Sequence, residues 1–365
     1  MPTYAAIAVL SVGATLLSYW AVLRLFPRLG LMDRPHLYGH DRSPVPYSAG
    51  ILFVVVLALV ITFFLPDQAK AWLLLAAATV VSIVSLVDDR IGIHPFIRLC
   101  VQGVTALVLF FAGFRVATLT HPFTGGTLEL GLVPVNVEIG GYVLVFSLVS
   151  LAITIAWIVI FMNTLNWLDG VPGMVSGIST VAFLTIFLLS LGLSLRTGGG
   201  VGADEIANAR LVAQLALAGG AMTGVFLVFD LPPPRLLMGD AGTMVLGLLI
   251  ASMAIYAGSK VATTFLVLGF PIMDAVFVVI RRVWNGQSPM RGDRNHFHHR
   301  LLRIGLSERR AVLVMCGICA LFGSFALLVG SIGKVAMISV LILLSTLIEW
   351  WVWQRERALT KEMTA

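Results

Sequence analysis

Apolar stretches of about 20 residues, each long enough to cross a bilayer as a helix, recur along the whole 365-residue chain. No soluble-sized interval separates them. In hydrocarbon a backbone must satisfy its own hydrogen bonds, so these stretches have to fold as helices packed into one bundle. Composition agrees, because 59% of the residues are hydrophobic and 12% are charged, which excludes an ordinary soluble globule. The expected fold class is all-α, a polytopic integral membrane protein whose single domain covers residues 1–365. Spans are expected near Tyr4 to Phe26 and then at 47–65, 70–87, 96–116, 139–161, 172–193, 209–229, 238–258, 261–283, 311–330 and 335–354, about eleven in all.

The first run is too long for a signal-peptide core and follows no basic residue, so it reads as a retained helix with its N-terminus outside. Alternating the loops from that start places about three-quarters of the Lys and Arg on one face, which the positive-inside rule makes cytoplasmic. The C-terminus falls on that face too. The formal charge of +6 is thus explained by topology, and with no basic domain or stacking platform a nucleic-acid partner is excluded. On the opposite face, residues 117–138 alternate apolar with polar around Gly125-Gly126, which predicts a small hairpin. Cys316 and Cys319 have C-x-x-C spacing inside an apolar helix with no second ligand pair, and like Cys100 they read as packing residues.

Four polar motifs interrupt the apolar pattern, and loop parity assigns all of them to the cytoplasmic face. Asp88-Asp89 close the third span. Adjacent carboxylates repel unless a cation or a shared proton relieves them, although a helix end paired with Arg90 and Arg98 would also account for them. Asn163, Asn166 and Asp169 follow at steps of three, near one helical face, with Gly170 and Gly173 behind them. A helix end rich in caps and small residues is the plainer reading of that stretch. Asp240, between Gly239 and Gly242, precedes a helix that it can cap while also reaching a metal. Last comes Arg291-Gly-Asp-Arg-Asn-His-Phe-His-His-Arg300, where His296, His298 and His299 with Arg294 and Arg300 suit phosphate oxygens; a basic loop held to anionic lipid is the alternative. Together the motifs describe a site of carboxylate, amide and imidazole beside a membrane. Hard oxygens suit Mg²⁺, with Mn²⁺ as a substitute, and the inferred chemistry is phosphoryl transfer between a soluble diphosphate and a lipid acceptor.

These four motifs in this order resemble the polyprenyl-phosphate N-acetylhexosamine-1-phosphate transferase superfamily, which includes the phospho-N-acetylmuramoyl-pentapeptide transferases. The matching residues are Asp88-Asp89, Asn163-x-x-Asn166-x-x-Asp169-Gly170, Met238-Gly239-Asp240-Ala241-Gly242 and His296-x-His298-His299-Arg300. The His-x-His-His-Arg form is similar to the undecaprenyl-phosphate GlcNAc-1-phosphate branch. What the resemblance implies is transfer of GlcNAc-1-phosphate from UDP-GlcNAc to undecaprenyl phosphate, releasing UMP, at a bacterial inner membrane, as the first step of a cell-envelope polysaccharide. It implies Asp240 and Asp89 as ligands of Mg²⁺, and Asp88, Asp89, His296 and His298 as catalytic residues. Asn163, Asn166, Asp169, His299, Arg300, Arg294 and Arg42 would bind substrate. The expected partners are the UDP-sugar, the lipid phosphate, the bilayer and a second copy of the chain as a homodimer. Pro172, Leu237 and Asp230 depart from the family pattern, the first two in its nucleotide pocket. The alternatives are a transferase for another UDP-N-acetylhexosamine or for phospho-N-acetylmuramoyl-pentapeptide, a secondary transporter using its carboxylates as ion sites, and a binder of lipid-linked sugar without turnover.

Overall fold

A computed structural model describes residues 2–33, 35, 43–47, 49–121, 124, 126–139, 142–196, 202–256, 261–287 and 296–364. In chain order the helices are α1 (Pro2–Leu29), α2 (Gly50–Phe64), α3 (Ala69–Ile91), α4 (Pro95–Phe111), α5 (Leu148–Leu168), α6 (Met174–Ser194), α7 (Ala203–Asp230), α8 (Gly239–Tyr256), α9 (Val261–Trp284), α10 (Phe297–Arg303), α11 (Glu308–Leu328) and α12 (Ser331–Thr364). Among the described residues, nine of these are long and apolar enough to cross a membrane. Shorter apolar helices, α2 and α4, occupy two of the expected spans. The chain is a multi-pass membrane protein.

Four short strands lie between α4 and α5. β1 (Thr118–Thr120) pairs antiparallel with β2 (Thr127–Glu129), which is the expected hairpin. A second ribbon, β3 (Pro134–Ile139) with β4 (Tyr142–Ser147), was not expected. The span drawn from residue 139 is thereby corrected, because α5 starts only at Leu148, where Ser147 accepts a capping bond from Ser150 N–H. The expected helical fold with one small hairpin therefore needs a second ribbon added.

The centre of the bundle is α8, whose residues Ala241 through Ile255 are all buried. It packs against α3 and α5, while α6 packs on α7 and α11, and α12 on α9. Close approach depends on glycine: a Cβ at Gly247 would lie 2.6 Å from the Met162 Cα of α5, a distance at which backbone would have to move. Cys319 is buried and unpaired and the Cys316 thiol lies against Gly177, so both cysteines do pack the helices.

Candidate active site

The end of α3 builds the first half of the site. Gly92, at φ +68°, takes the left-handed conformation that closes the helix, and its N–H returns to the Asp88 carbonyl. The chain then turns through His94-Pro95 into α4, with Ile93 N–H donating to Asp88 Oδ1 at 2.6 Å. That reversal brings Arg98, one turn into α4, back over Asp88. Its Nη1 sits 2.7 Å from Asp88 Oδ2 and 2.9 Å from Asp240 Oδ2, and its Nη2 donates to Asn166 Oδ1 at 3.2 Å. Three motifs distant in sequence therefore meet on one guanidinium. Arg90 is occupied elsewhere, donating to the Leu29 carbonyl.

The first turn of α8 supplies the second half. Backbone N–H groups at a helix start are free to bind anionic oxygen, and here Gly239 N–H serves Asp169 while Asp240 N–H serves Asp89. The remaining Asp89 oxygen, Oδ2, is buried without a hydrogen-bond partner among the described residues. The loop entering α8 is held by main-chain bonds to the segment before α2: Leu237 N–H to the Pro46 carbonyl at 3.0 Å and Ala49 N–H to the Met238 carbonyl at 2.8 Å. The Tyr47 hydroxyl donates to the Asp89 carbonyl.

Asn163 and Asn166 form two rungs between α5 and its neighbours. Asn166 donates to the Thr243 hydroxyl at 3.1 Å as well as accepting from Arg98. One turn deeper, Asn163 donates to Gln102 Oε1 at 2.7 Å. Asn166 faces the carboxylates, whereas Asn163 ties α5 to α4. Asp169 follows the last turn of α5; desolvation raises its carboxyl well above the usual range, with Asp230, Asp240 and Asp89 adding to the rise. Asp230, buried at the end of α7, accepts from the Ser176 hydroxyl at 2.6 Å.

The histidines enter from the side on α10. Asp274, in the apolar interior of α9, anchors them by accepting Phe297 N–H at 2.8 Å on one oxygen and bonding His296 Nδ1 at 2.9 Å with the other. His296 stacks near Trp167 and lies parallel to His298. His298 is completely buried, with neither ring nitrogen hydrogen-bonded among the described residues. Burial pushes its pKa well below the ordinary 6.5, helped by His299 and His296, so the ring is neutral. The two later rings lie against Gly170, where a Cβ would stand 2.6 Å from His298 Nε2 and 2.7 Å from His299 Nε2. The Asp169-Gly170 turn and the histidine helix are thus in contact.

Arg300 takes a different part from the one expected of it. It is buried, with Nε donating to Glu356 Oε2 at 3.0 Å, Nη1 paired with the Glu349 carboxylate and Nη2 donating to the Glu349 carbonyl. Arg303 donates to the other Glu356 oxygen at 2.8 Å. These contacts fasten α10 to α12 and engage all three Arg300 nitrogens, with a second N–H on Nη1 and on Nη2 not accounted for by them. Arg42 and Arg294 lie outside the described residues. Arg98, Asp274, Trp167, Glu349 and Glu356 were not among the expected site residues. An acid inside an apolar span such as Asp274 is itself a signal of function or pairing.

The family model for Glycosyl transferase family 4 matches residues 71–258, the stretch that holds Asp88-Asp89, Asn166, Asp169 and Asp240. The chain belongs to this family. Its similarity to curated glycosyl-1-phosphate transferases runs over most of each chain. A Mycolicibacterium smegmatis protein named decaprenyl-phosphate N-acetylglucosaminephosphotransferase is 28% identical, with 91% of this chain and 84% of that one covered. An Escherichia coli K12 undecaprenyl-phosphate alpha-N-acetylglucosaminyl 1-phosphate transferase is 27% identical, over 82% and 77%. A Bacillus subtilis protein named "Probable undecaprenyl-phosphate N-acetylglucosaminyl 1-phosphate transferase" is also 27% identical, over 85% and 80%. In this family 4 member, Arg98 and the start of α8 draw together Asp88, Asp89, Asn166, Asp169 and Asp240, all inside the matched stretch.

Proposed function

We propose that the chain transfers N-acetylglucosamine 1-phosphate from UDP-GlcNAc to a polyprenyl phosphate, undecaprenyl phosphate in the first instance, and releases UMP. The observation that carries this reading is the convergence of Asp88, Asp240 and Asn166 on Arg98 in a family whose curated relatives are named for that chemistry. A lipid phosphate oxygen attacks the sugar-bearing phosphorus of the diphosphate. The bond from that phosphorus to the bridging oxygen breaks, and UMP leaves with the oxygen. The sugar's C1–O bond is untouched, so its anomeric configuration is kept.

Asp89 and Asp240 are the residues that would hold Mg²⁺. Among the described residues no three His, Cys, Asp or Glu side chains gather tightly enough to cage a metal. Two neighbouring carboxylates, one with an unpartnered buried oxygen, instead fit the usual Mg²⁺ arrangement, in which substrate phosphate and water complete the shell. A bound Mg²⁺ would supply charge neutralisation on the phosphoryl oxygens. Asp88 has both oxygens engaged, by Ile93 N–H and Arg98, which suits holding the Arg98 guanidinium in place for the acceptor phosphate rather than taking its proton. Of the three rings His299 alone is partly exposed and can donate a hydrogen bond to the diphosphate, while buried, neutral His298 backs it at Gly170. Such chemistry needs little from the protein beyond position and electrostatics.

Asp88, Asp169 and Asp240 all sit at helix ends, whereas a secondary transporter places its ion sites near the middle of the bilayer. The test is direct. Purified protein given undecaprenyl phosphate and UDP-GlcNAc should release UMP and form a lipid-linked sugar. Absence of both products across a panel of UDP-sugars would overturn the reading.

A further inference from the structure

We propose a second site, for a phosphate oxyanion, at the opposite end of the bundle from the catalytic cluster. Lys70 lies in the first turn of α3 and Asp88 in its last, a separation of roughly 27 Å at the helical rise of 1.5 Å per residue. At the Lys70 end lies a cavity of about 190 Å³, walled by the end of α8, the starts of α3, α7 and α9, and the segment from Gly113 into β1.

Its chemistry is one-sided. Ten of the described residues line it, including Lys70, Arg115, Thr118, Asn208 and Tyr256, and none of these is acidic. Two cations, Lys70 half-buried and Arg115 exposed, therefore share the recess with hydrogen-bond donors and, among the described residues, no carboxylate in the wall. An anion in the recess would meet both positive charges with no acid there to repel it.

Size narrows the class. The volume falls short of the roughly 300 Å³ at which pockets for drug-sized ligands begin, and a phosphate group fits within it.

The cationic group is also held in position. Lys70 Nζ stands 4.7 Å from the centroid of the Tyr256 ring, a cation–π distance. The Tyr256 hydroxyl donates to Asn208 Oδ1 at 2.6 Å, which leaves the Asn208 amide N–H groups as donors. Gly113, at φ +98°, has the ammonium only 3.1 Å from where a Cβ would be. A side chain there would crowd the group that the site depends on.

The phosphate can come from an anionic lipid headgroup in the adjoining leaflet or from solution, and the chemistry is the same. Full-length protein and its Lys70→Gln/Arg115→Gln double variant would be placed in phosphatidylcholine nanodiscs under three conditions: potassium chloride, inorganic phosphate at matched ionic strength, and phosphatidylglycerol mixed into the disc. Near saturation the wild-type Tm should rise by several degrees in one of the last two arms, and the double variant should lose at least half of that rise. A rise with inorganic phosphate identifies a soluble ion, and one confined to phosphatidylglycerol identifies a lipid. The double variant's Tm in phosphatidylcholine alone, within a few degrees of wild type, establishes that it is folded independently of any transferase assay. No rise in either arm, or an equal rise in the double variant, would overturn the proposal.

Discussion

Arg98 Nη1 contacts Asp88 at 2.7 Å and Asp240 at 2.9 Å, so a single side chain of α4 couples the end of α3 to the start of α8. Removing it leaves two carboxylates facing each other and Asn166 without its donor. The guanidinium is a quarter exposed, which places the cost toward the low end of the 2–5 kcal/mol range for truncating a paired charge. Arg98→Ala should therefore lower kcat/KM for UMP release by about 100-fold at about 1.4 kcal/mol per tenfold. Arg98→Lys keeps the charge but cannot bridge three acceptors in one plane, and it should fall between the two. Activity of Arg98→Ala within a factor of a few of wild type would show that the contact is only structural.

That relationship also shows how far the sequence could be read. Asp88-Asp89, Asp169 and Asp240 stood out because carboxylates are expensive in an apolar chain, and loop parity alone was enough to put them at one end. Which cation serves them was not legible. Arg90 and Arg98 are equally plausible by spacing, and only the turn at Gly92 sends Arg98 inward while Arg90 reaches Leu29. The β3–β4 ribbon was hidden for another reason: Val143-Leu-Val-Phe146 runs without a break into the apolar start of α5, and a short apolar run has no periodicity that separates strand from helix. Nothing in the local pattern singles out Glu349, inside the expected span 335–354, or Glu356 just past it. Their role depends on α10 folding back against α12, a contact that no local pattern announces.

Asp89 and Asp240 lead to a metal prediction. With EDTA in excess, UMP release should disappear and return when Mg²⁺ is restored. Asp240→Asn and Asp89→Asn should each reduce kcat by at least about 100-fold, several kcal/mol being the usual contribution of a phosphate-bound cation. Both variants should keep a Tm near or above wild type, since each removes one of several crowded negative charges. Undiminished turnover in EDTA would remove Mg²⁺ from the mechanism.

The fastening of α10 to α12 makes a prediction far from any substrate. Glu349→Gln with Glu356→Gln leaves Arg300 buried without its counter-charges, a loss of the kind that costs about 3–5 kcal/mol when a buried pair is broken from one side. Part of that should appear as a lower Tm. The rest should appear as a kcat at least about tenfold lower, because histidines displaced from Gly170 no longer hold the diphosphate in line. With Glu349 kept, Glu356→Asp restores the charge and should recover activity only in part, since the shorter side chain cannot reach both Arg300 and Arg303. A double variant with wild-type kcat would mean that α10 keeps its position without α12.

His298 carries the pH prediction. Its folded pKa lies well below 6.5 because burial disfavours the charged ring, while in the unfolded chain the ring titrates near its ordinary value. Below about pH 6.5 the unfolded state therefore binds a proton that the folded state refuses, and the stability due to a neutral His298 is lost as pH falls further. Above that pH its contribution is constant. The slope attributable to one such group is at most about 1.4 kcal/mol per pH unit. Carboxylates elsewhere in the cluster titrate as well, so the measurement has to be a difference. Tm followed from about pH 7.5 to about pH 5.5 should fall less steeply for His298→Gln than for wild type, and the two curves should run parallel above pH 6.5. Equal slopes throughout would mean that His298 accepts a proton in the folded protein, and with it that the histidine helix can present a cation to the diphosphate.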